Sequence, residues 1–206
     1  MSEVRQNSFA YMLWTTLLGL IAFLISGLLS SVYLLLTDDF ILGMLISGGV
    51  GALLLGLSLR LGKKIMWMTV TGAFALPLSL FIAFGVFEGL GSLLPASVSS
   101  IFGSAGIADA MAIMLMAAVF GAAVGTSIFG KKAIRLFSAV SAIAAIPFGM
   151  LVVAFNSGAD IKNELQLLLS AFGSIDLNNL AITLANGVGT GLSIGIFRKS
   201  KQNRAA

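Results

Sequence analysis

The strongest constraint on this chain is a series of uncharged apolar runs, each at least as long as a bilayer is thick. A helix needs about 20 apolar residues to cross a hydrocarbon core about 30 Å deep. Runs free of Asp, Glu, Lys and Arg cover residues 6–37, 40–59, 65–87, 110–130, 136–159 and 177–197. With 58% apolar and only 10% charged residues over 206 positions, nothing is left from which to build a soluble domain, where about a quarter of residues carry charge. The expected fold is an all-α integral membrane protein with six transmembrane helices, forming a single membrane domain over 1–206.

The lead before the first run contains Glu3 and Arg5 and is followed by a 28-residue apolar stretch, 9–36. That is longer than the apolar region of about 7–15 residues in a signal peptide, and no small-residue cleavage site follows. It reads as an uncleaved first span, with Tyr11 and Trp14 as aromatic anchors at the membrane interface. A further uncharged segment, 89–108, is rich in Gly and Ser and holds Pro95; it reads as a loop.

Internal repetition supports that reading. Pro77 and the triplet Phe102-Gly103-Ser104 are matched seventy residues later by Pro147 and Phe172-Gly173-Ser174. The later loop carries Asp160, Lys162, Glu164 and Asp176, and each central charge costs about 2.5–3.5 kcal/mol to insert even on the lenient scale. If the two loops are equivalent, neither crosses the membrane. Ile161, Leu165, Leu168, Leu169 and Phe172 share one helical face, as do Leu94, Val98, Ile101 and Phe102. Two short outer-surface amphipathic helices are therefore expected.

A second repeated feature is a stripe of small residues four apart, which lie on one helical face, followed by a serine and a basic cluster. Gly48, Ala52 and Gly56 precede Ser58 and then Arg60, Lys63 and Lys64; Ala117, Gly121 and Gly125 precede Ser127 and then Lys131, Lys132 and Arg135. Thr183, Gly187 and Gly191 precede Ser193 and then Arg198, Lys199, Lys201 and Arg204. Small-xxx-small spacing lets helices approach closely in lipid, so Gly48, Ala52, Gly56, Ala117, Gly121, Gly125, Gly187 and Gly191 are read as helix-packing positions. The serines are expected to bond a carbonyl one turn back.

Basic residues collect in short cytoplasmic loops. With both termini cytoplasmic, all but Lys162 of the 12 Lys and Arg fall inside, and all but Glu3 of the 8 acids fall outside. This gives three parallel two-helix hairpin repeats, approximately 7–64, 65–132 and 133–199, with a cytoplasmic tail over 200–206. A bacterial plasma membrane suits the size and the clean charge bias. The pI near 9.7 belongs to these helix ends and not to a nucleic-acid surface.

There is no His or Cys in the chain, which excludes disulfides, thiolate chemistry, haem ligation by either residue and zinc sites built on them. No ionisable residue lies within a span, so the usual marks of proton relays and ion coupling are missing, and no buried acid or base is present for catalysis. No enzyme activity, cofactor or metal is expected. Candidate substrate-binding positions are Asn186, the most polar residue embedded in a span, with Thr69 and Thr71 near the start of the third span. Pro77 and Pro147 join them, because a proline frees helix carbonyls that a neighbour or a solute can satisfy.

Three hairpins are similar in outline to mitochondrial carriers, in which a proline on each odd helix is followed by acidic and basic positions. Here Leu78 and Ser79 follow Pro77, and Phe148 and Gly149 follow Pro147, so that signature is missing. Size and span count alone resemble the substrate-binding subunits of energy-coupling-factor vitamin importers. The expectation is a small transport protein or a membrane-embedded binding subunit for a neutral or weakly polar solute. The alternative is a non-catalytic scaffold, assembly or regulatory subunit. The partners in either case are the lipid bilayer and another membrane protein or transporter subunit.

Overall fold

The computed structural model describes residues 2–93, 107–156, 163, 164, 167 and 176–205. The amphipathic helices expected in the two loops fall almost wholly outside the described residues, as do Lys162 and both Phe-Gly-Ser triplets.

Helices account for nearly all of what is described: α1 (Ser2–Thr37), α2 (Phe40–Ser58), α3 (Lys64–Leu93), α4 (Ile107–Phe129), α5 (Ile134–Ala144), α6 (Ile146–Asn156) and α7 (Leu177–Ala205). Six segments are long and apolar enough to cross a membrane: Phe9–Thr37, Phe40–Ser58, Lys64–Gly89, Ile107–Phe129, Lys131–Asn156 and Leu177–Ser200.

Local chemistry sets the ends. Between α1 and α2 only Asp38 and Asp39 intervene. Asp38 takes a positive φ of 56°, a conformation Asp adopts more readily than most residues. The Asp39 carboxylate caps α2 by accepting from the Leu42 amide at 3.0 Å. At the far end of α2, the Leu61 amide reaches the Gly56 carbonyl and the Arg60 amide reaches Leu57, a Schellman closure with Arg60 at φ 50°. Gly130, at φ 77°, turns the chain from α4 into a short 3-10 turn over Lys131–Ala133.

The two span prolines act differently. Pro77 sits inside an unbroken α3. The fifth span is interrupted at Ala145, whose amide is shared between the Ser141 and Ala142 carbonyls. Pro147 then occupies the first turn of α6, where its missing N–H costs little.

The spans form a closed ring in which α1 packs on α2, α2 on α3, α3 on α4, α4 on α5 and α6, these on α7, and α7 back on α1. Small residues set the closest seams. A Cβ added to Gly72 of α3 would meet the Gly48 carbonyl oxygen at 2.7 Å and the Ala52 side chain at 2.6 Å. A Cβ on Gly121 of α4 would strike Ser141 of α5, and one on Gly187 of α7 would come within 2.5 Å of the Gly19 carbonyl oxygen in α1. The second, fourth and sixth spans thus lay their stripes on the third, fifth and first. All eight packing positions read from the sequence are buried.

Bases mark one end of the bundle and acids, Glu3 apart, the other. Lys64 donates to the Ile128 carbonyl at 2.6 Å, and Arg198 donates to the Tyr11 hydroxyl; Asp38, Asp39, Asp109 and Asp176 stand at the other end. The sixth span runs closest to the centre: 72% of its apolar window is buried, against 28% to 50% in the other five.

Aromatic rings fill much of the middle. Phe23 of α1 meets Phe120 of α4 edge-on at 5.6 Å. Towards the basic end, Phe129, Phe137 and Phe197 form a second cluster, with Phe129 and Phe197 4.5 Å apart.

Candidate functional site

Along the buried face of α7, polar side chains recur at spacings of four and three: Asn179, Thr183, Asn186, Thr190 and Ser193. All five are at most 3% exposed. At 1.5 Å per residue the set spans about 21 Å, two-thirds of a hydrocarbon core. In a helix this spacing keeps the five on one face, so they make a polar column down the middle of an apolar bundle.

Serines from neighbouring helices meet the column. The Asn179 side-chain amide donates to Ser30 Oγ of α1 at 3.4 Å, and Ser30 donates to the Gly43 carbonyl at 2.7 Å. Thr183 donates to the Asn179 carbonyl at 2.8 Å. Its contact with Ser47 Oγ of α2, at 2.9 Å, therefore uses the Ser47 proton, since a hydroxyl has only one. Ser193 turns back to the Gly189 carbonyl at 2.7 Å, and Ser58 and Ser127 bond Leu54 and Val124 carbonyls in the same way.

The middle of the column differs. Asn186 Nδ2 donates to the Ile182 carbonyl at 2.9 Å, which fixes the amide orientation and leaves Oδ1 facing the interior. Asn186 Oδ1, Thr190 Oγ1 and Ser141 Oγ are all buried without a hydrogen-bond partner among the described residues. Ser141 is wedged between α4 and α7: a Cβ on Gly189, the residue preceding Thr190, would lie 3.0 Å from its Oγ. Three such atoms occur within about one turn of α7. Each costs about 1–3 kcal/mol when left unsatisfied, and buried polar groups are otherwise almost always paired. By type they are one carbonyl acceptor and two hydroxyls, none of them charged.

At the acidic end the Asp176 carboxylate accepts from the Asn178 and Asn179 amides, capping α7. Asn156 of α6 donates to Asp109 of α4 at 3.1 Å and accepts from Asn178 at 3.5 Å. This network ties the fourth, fifth and sixth spans beside the acidic end of the column. At the basic end the next step in the 4-3 series is Phe197, which closes the column with Phe129 and Phe137.

Of the substrate-binding candidates read from the sequence, Asn186 lies in the column. Thr69, Thr71 and Pro77 do not join it, because α3 does not pack along α7, and Pro147, although on a helix that does, stands on its exposed face. The Thr69 hydroxyl turns back to the Ile65 carbonyl at 2.9 Å, Thr71 lines a lateral groove, and Pro77 is buried in α3 while Pro147 is exposed on α6. The sequence reading missed Asn179, Thr190, Ser30, Ser47 and Ser141, and it took Thr183 only as a small residue. The 4-3-4-3 polar spacing would have found the α7 members; their serine partners leave no local signal.

Comparison with protein-family models, with curated proteins and with solved structures finds no match.

Proposed function

We propose that the protein is a small multi-pass transport protein, or the membrane-embedded substrate-binding subunit of a transporter, handling a neutral or weakly polar solute without enzymatic chemistry. The observation that carries this reading is the buried column on α7, with three unpartnered oxygens at its middle. Polar groups embedded in a membrane bundle are costly and tend to mark a pathway or a site. The absence of charge along the column favours a neutral solute. In this reading the acidic end is the outer mouth, the basic end with both termini is cytoplasmic, the membrane is a bacterial inner membrane, and the chain is built as three parallel hairpins.

A second reading, a scaffold, assembly or regulatory subunit of a larger membrane complex, draws on the Phe23–Phe120 contact and the phenylalanine cluster at the basic end, which fill the centre as a packed core would.

Purification in mild detergent separates the two. For a transport protein, a panel of small neutral metabolites contains compounds that raise the melting temperature of the wild type and not of Asn186→Leu. For a scaffold, no solute shifts the wild type and the protein comes out bound to another membrane protein.

A further inference from the structure

A groove of about 720 Å³ opens on the side of the bundle near its basic end, lined by Trp67 and Thr71 of α3, Ala122, Ala123, Thr126 and Ser127 of α4, and Ile134 of α5. It lies on the periphery, away from the α7 column, and has no part in the transport reading. Two of its three hydroxyls are already engaged: Thr126 donates to the Ala122 carbonyl and Ser127 to the Val124 carbonyl, each at 2.7 Å. Apart from Thr71, what remains to line the groove is methyl and methylene surface together with the indole of Trp67, which is 63% exposed.

Bases gather at the groove's basic-end rim. Lys131 and Lys132 form the turn that leads into Ile134, Arg135 follows it, and Lys63 precedes α3 by one residue; all four are exposed. Lys64 is committed to the Ile128 carbonyl. Asp38, Asp39, Glu88, Asp109 and Asp176 stand at the opposite end of the bundle, so they do not neutralise this rim. An apolar slot open to the bilayer, with a Trp at headgroup depth and a basic rim, matches a phospholipid whose headgroup is anionic and whose chain lies between helices.

We infer that this groove is a binding site for an anionic phospholipid, with an acyl chain laid against Trp67, Ala122, Ala123 and Ile134 and its phosphate held by Lys63, Lys131, Lys132 and Arg135. Neither the lipid nor the bases act on the α7 column, so the site stands or falls independently of what the column carries.

Native mass spectrometry of the purified full chain, with phosphatidylglycerol or phosphatidylcholine added, tests the site. Phosphatidylglycerol should be retained preferentially, and Lys131→Gln, Lys132→Gln and Arg135→Gln should each reduce its retention about fivefold. Ala123→Phe, which fills the slot and keeps every charge, should also abolish the preference, while Lys199→Gln on α7, which contributes nothing to the groove's lining, should not change it. Equal retention of the two lipids overturns the inference. So does insensitivity to Ala123→Phe, or an equal loss in Lys199→Gln, either of which would mean diffuse attraction by the basic end. Because Lys131, Lys132 and Arg135 are exposed, their variants report on binding even if Ala123→Phe fails to fold.

Discussion

Gly19 and Gly187 meet backbone to backbone where α1 and α7 close the ring: a methyl on either would collide with the other's carbonyl. Gly191 and Gly195 continue the seam against Thr15 and Met12. The other two close seams join spans consecutive in the chain; this one joins the first and last, with no short connection to hold them together. Gly19→Ala should therefore destabilise the bundle by about 1–3 kcal/mol through overpacking. Gly85→Ala, whose added methyl meets nothing within 4 Å, should stabilise by about 0.5–1 kcal/mol through the helix preference for Ala. Thermal or denaturant unfolding in detergent measures both.

Stability and function should part company at the column's middle. Thr190→Val removes a buried hydroxyl with no partner and keeps the shape, so the empty protein should gain about 1–3 kcal/mol. Solute-induced stabilisation should fall in the same variant. A loss of stability in the solute-free protein would mean that Thr190 Oγ1 is satisfied in a way the account omits.

Phe197 closes the column towards the basic end by packing on Phe129 and Phe137. Phe197→Ala should cost about 3–5 kcal/mol of stability and should raise passive solute leak through proteoliposomes carrying the protein. Ile143, 66% exposed, provides the control: Ile143→Ala should leave leak unchanged.

Lys64 closes the far side of a helix end, donating to the Ile128 carbonyl at 2.6 Å while lying 5.8 Å from the Phe129 ring centre. Lys64→Met should cost about 1–2 kcal/mol for the lost charged hydrogen bond. Lys63→Met, one residue earlier, should change stability by less than about 0.5 kcal/mol. Paired melting curves decide.

The spans were legible because lipid leaves few options for an uncharged run. The second span, read as 40–59, is Phe40–Ser58, and the fourth, read as 110–130, is Ile107–Phe129. Pro147 pointed to a disturbance in the fifth span, but its place, Ala145, depends on which carbonyls share an amide. The small-residue stripes were legible at i, i+4. Their partners were not: Gly19, Gly72 and Ser141 are set by which helix lies opposite, and local spacing does not encode that. The column was half legible. Asn186 stood out as the one amide deep in a span, whereas Thr183 and Thr190 look innocuous until their shared face proves to be the bundle's interior. The phenylalanine cluster joins positions 129, 137 and 197, and only the ring closure brings them together.

If the α7 column is a path for solute, as proposed, a water-soluble reagent reaches its side chains. The chain has no cysteine, so single cysteines at Asn179, Thr183, Asn186, Thr190 and Ser193 can be tested directly with a water-soluble thiol reagent in intact membranes. The account predicts labelling from Asn179 inward through Thr190, weak labelling at the half-buried neighbours Leu184 and Val188, and protection by a solute that raises the melting temperature. Labelling confined to Asn179, with Asn186 and Thr190 as silent as their neighbours, would contradict it and leave the column as packing.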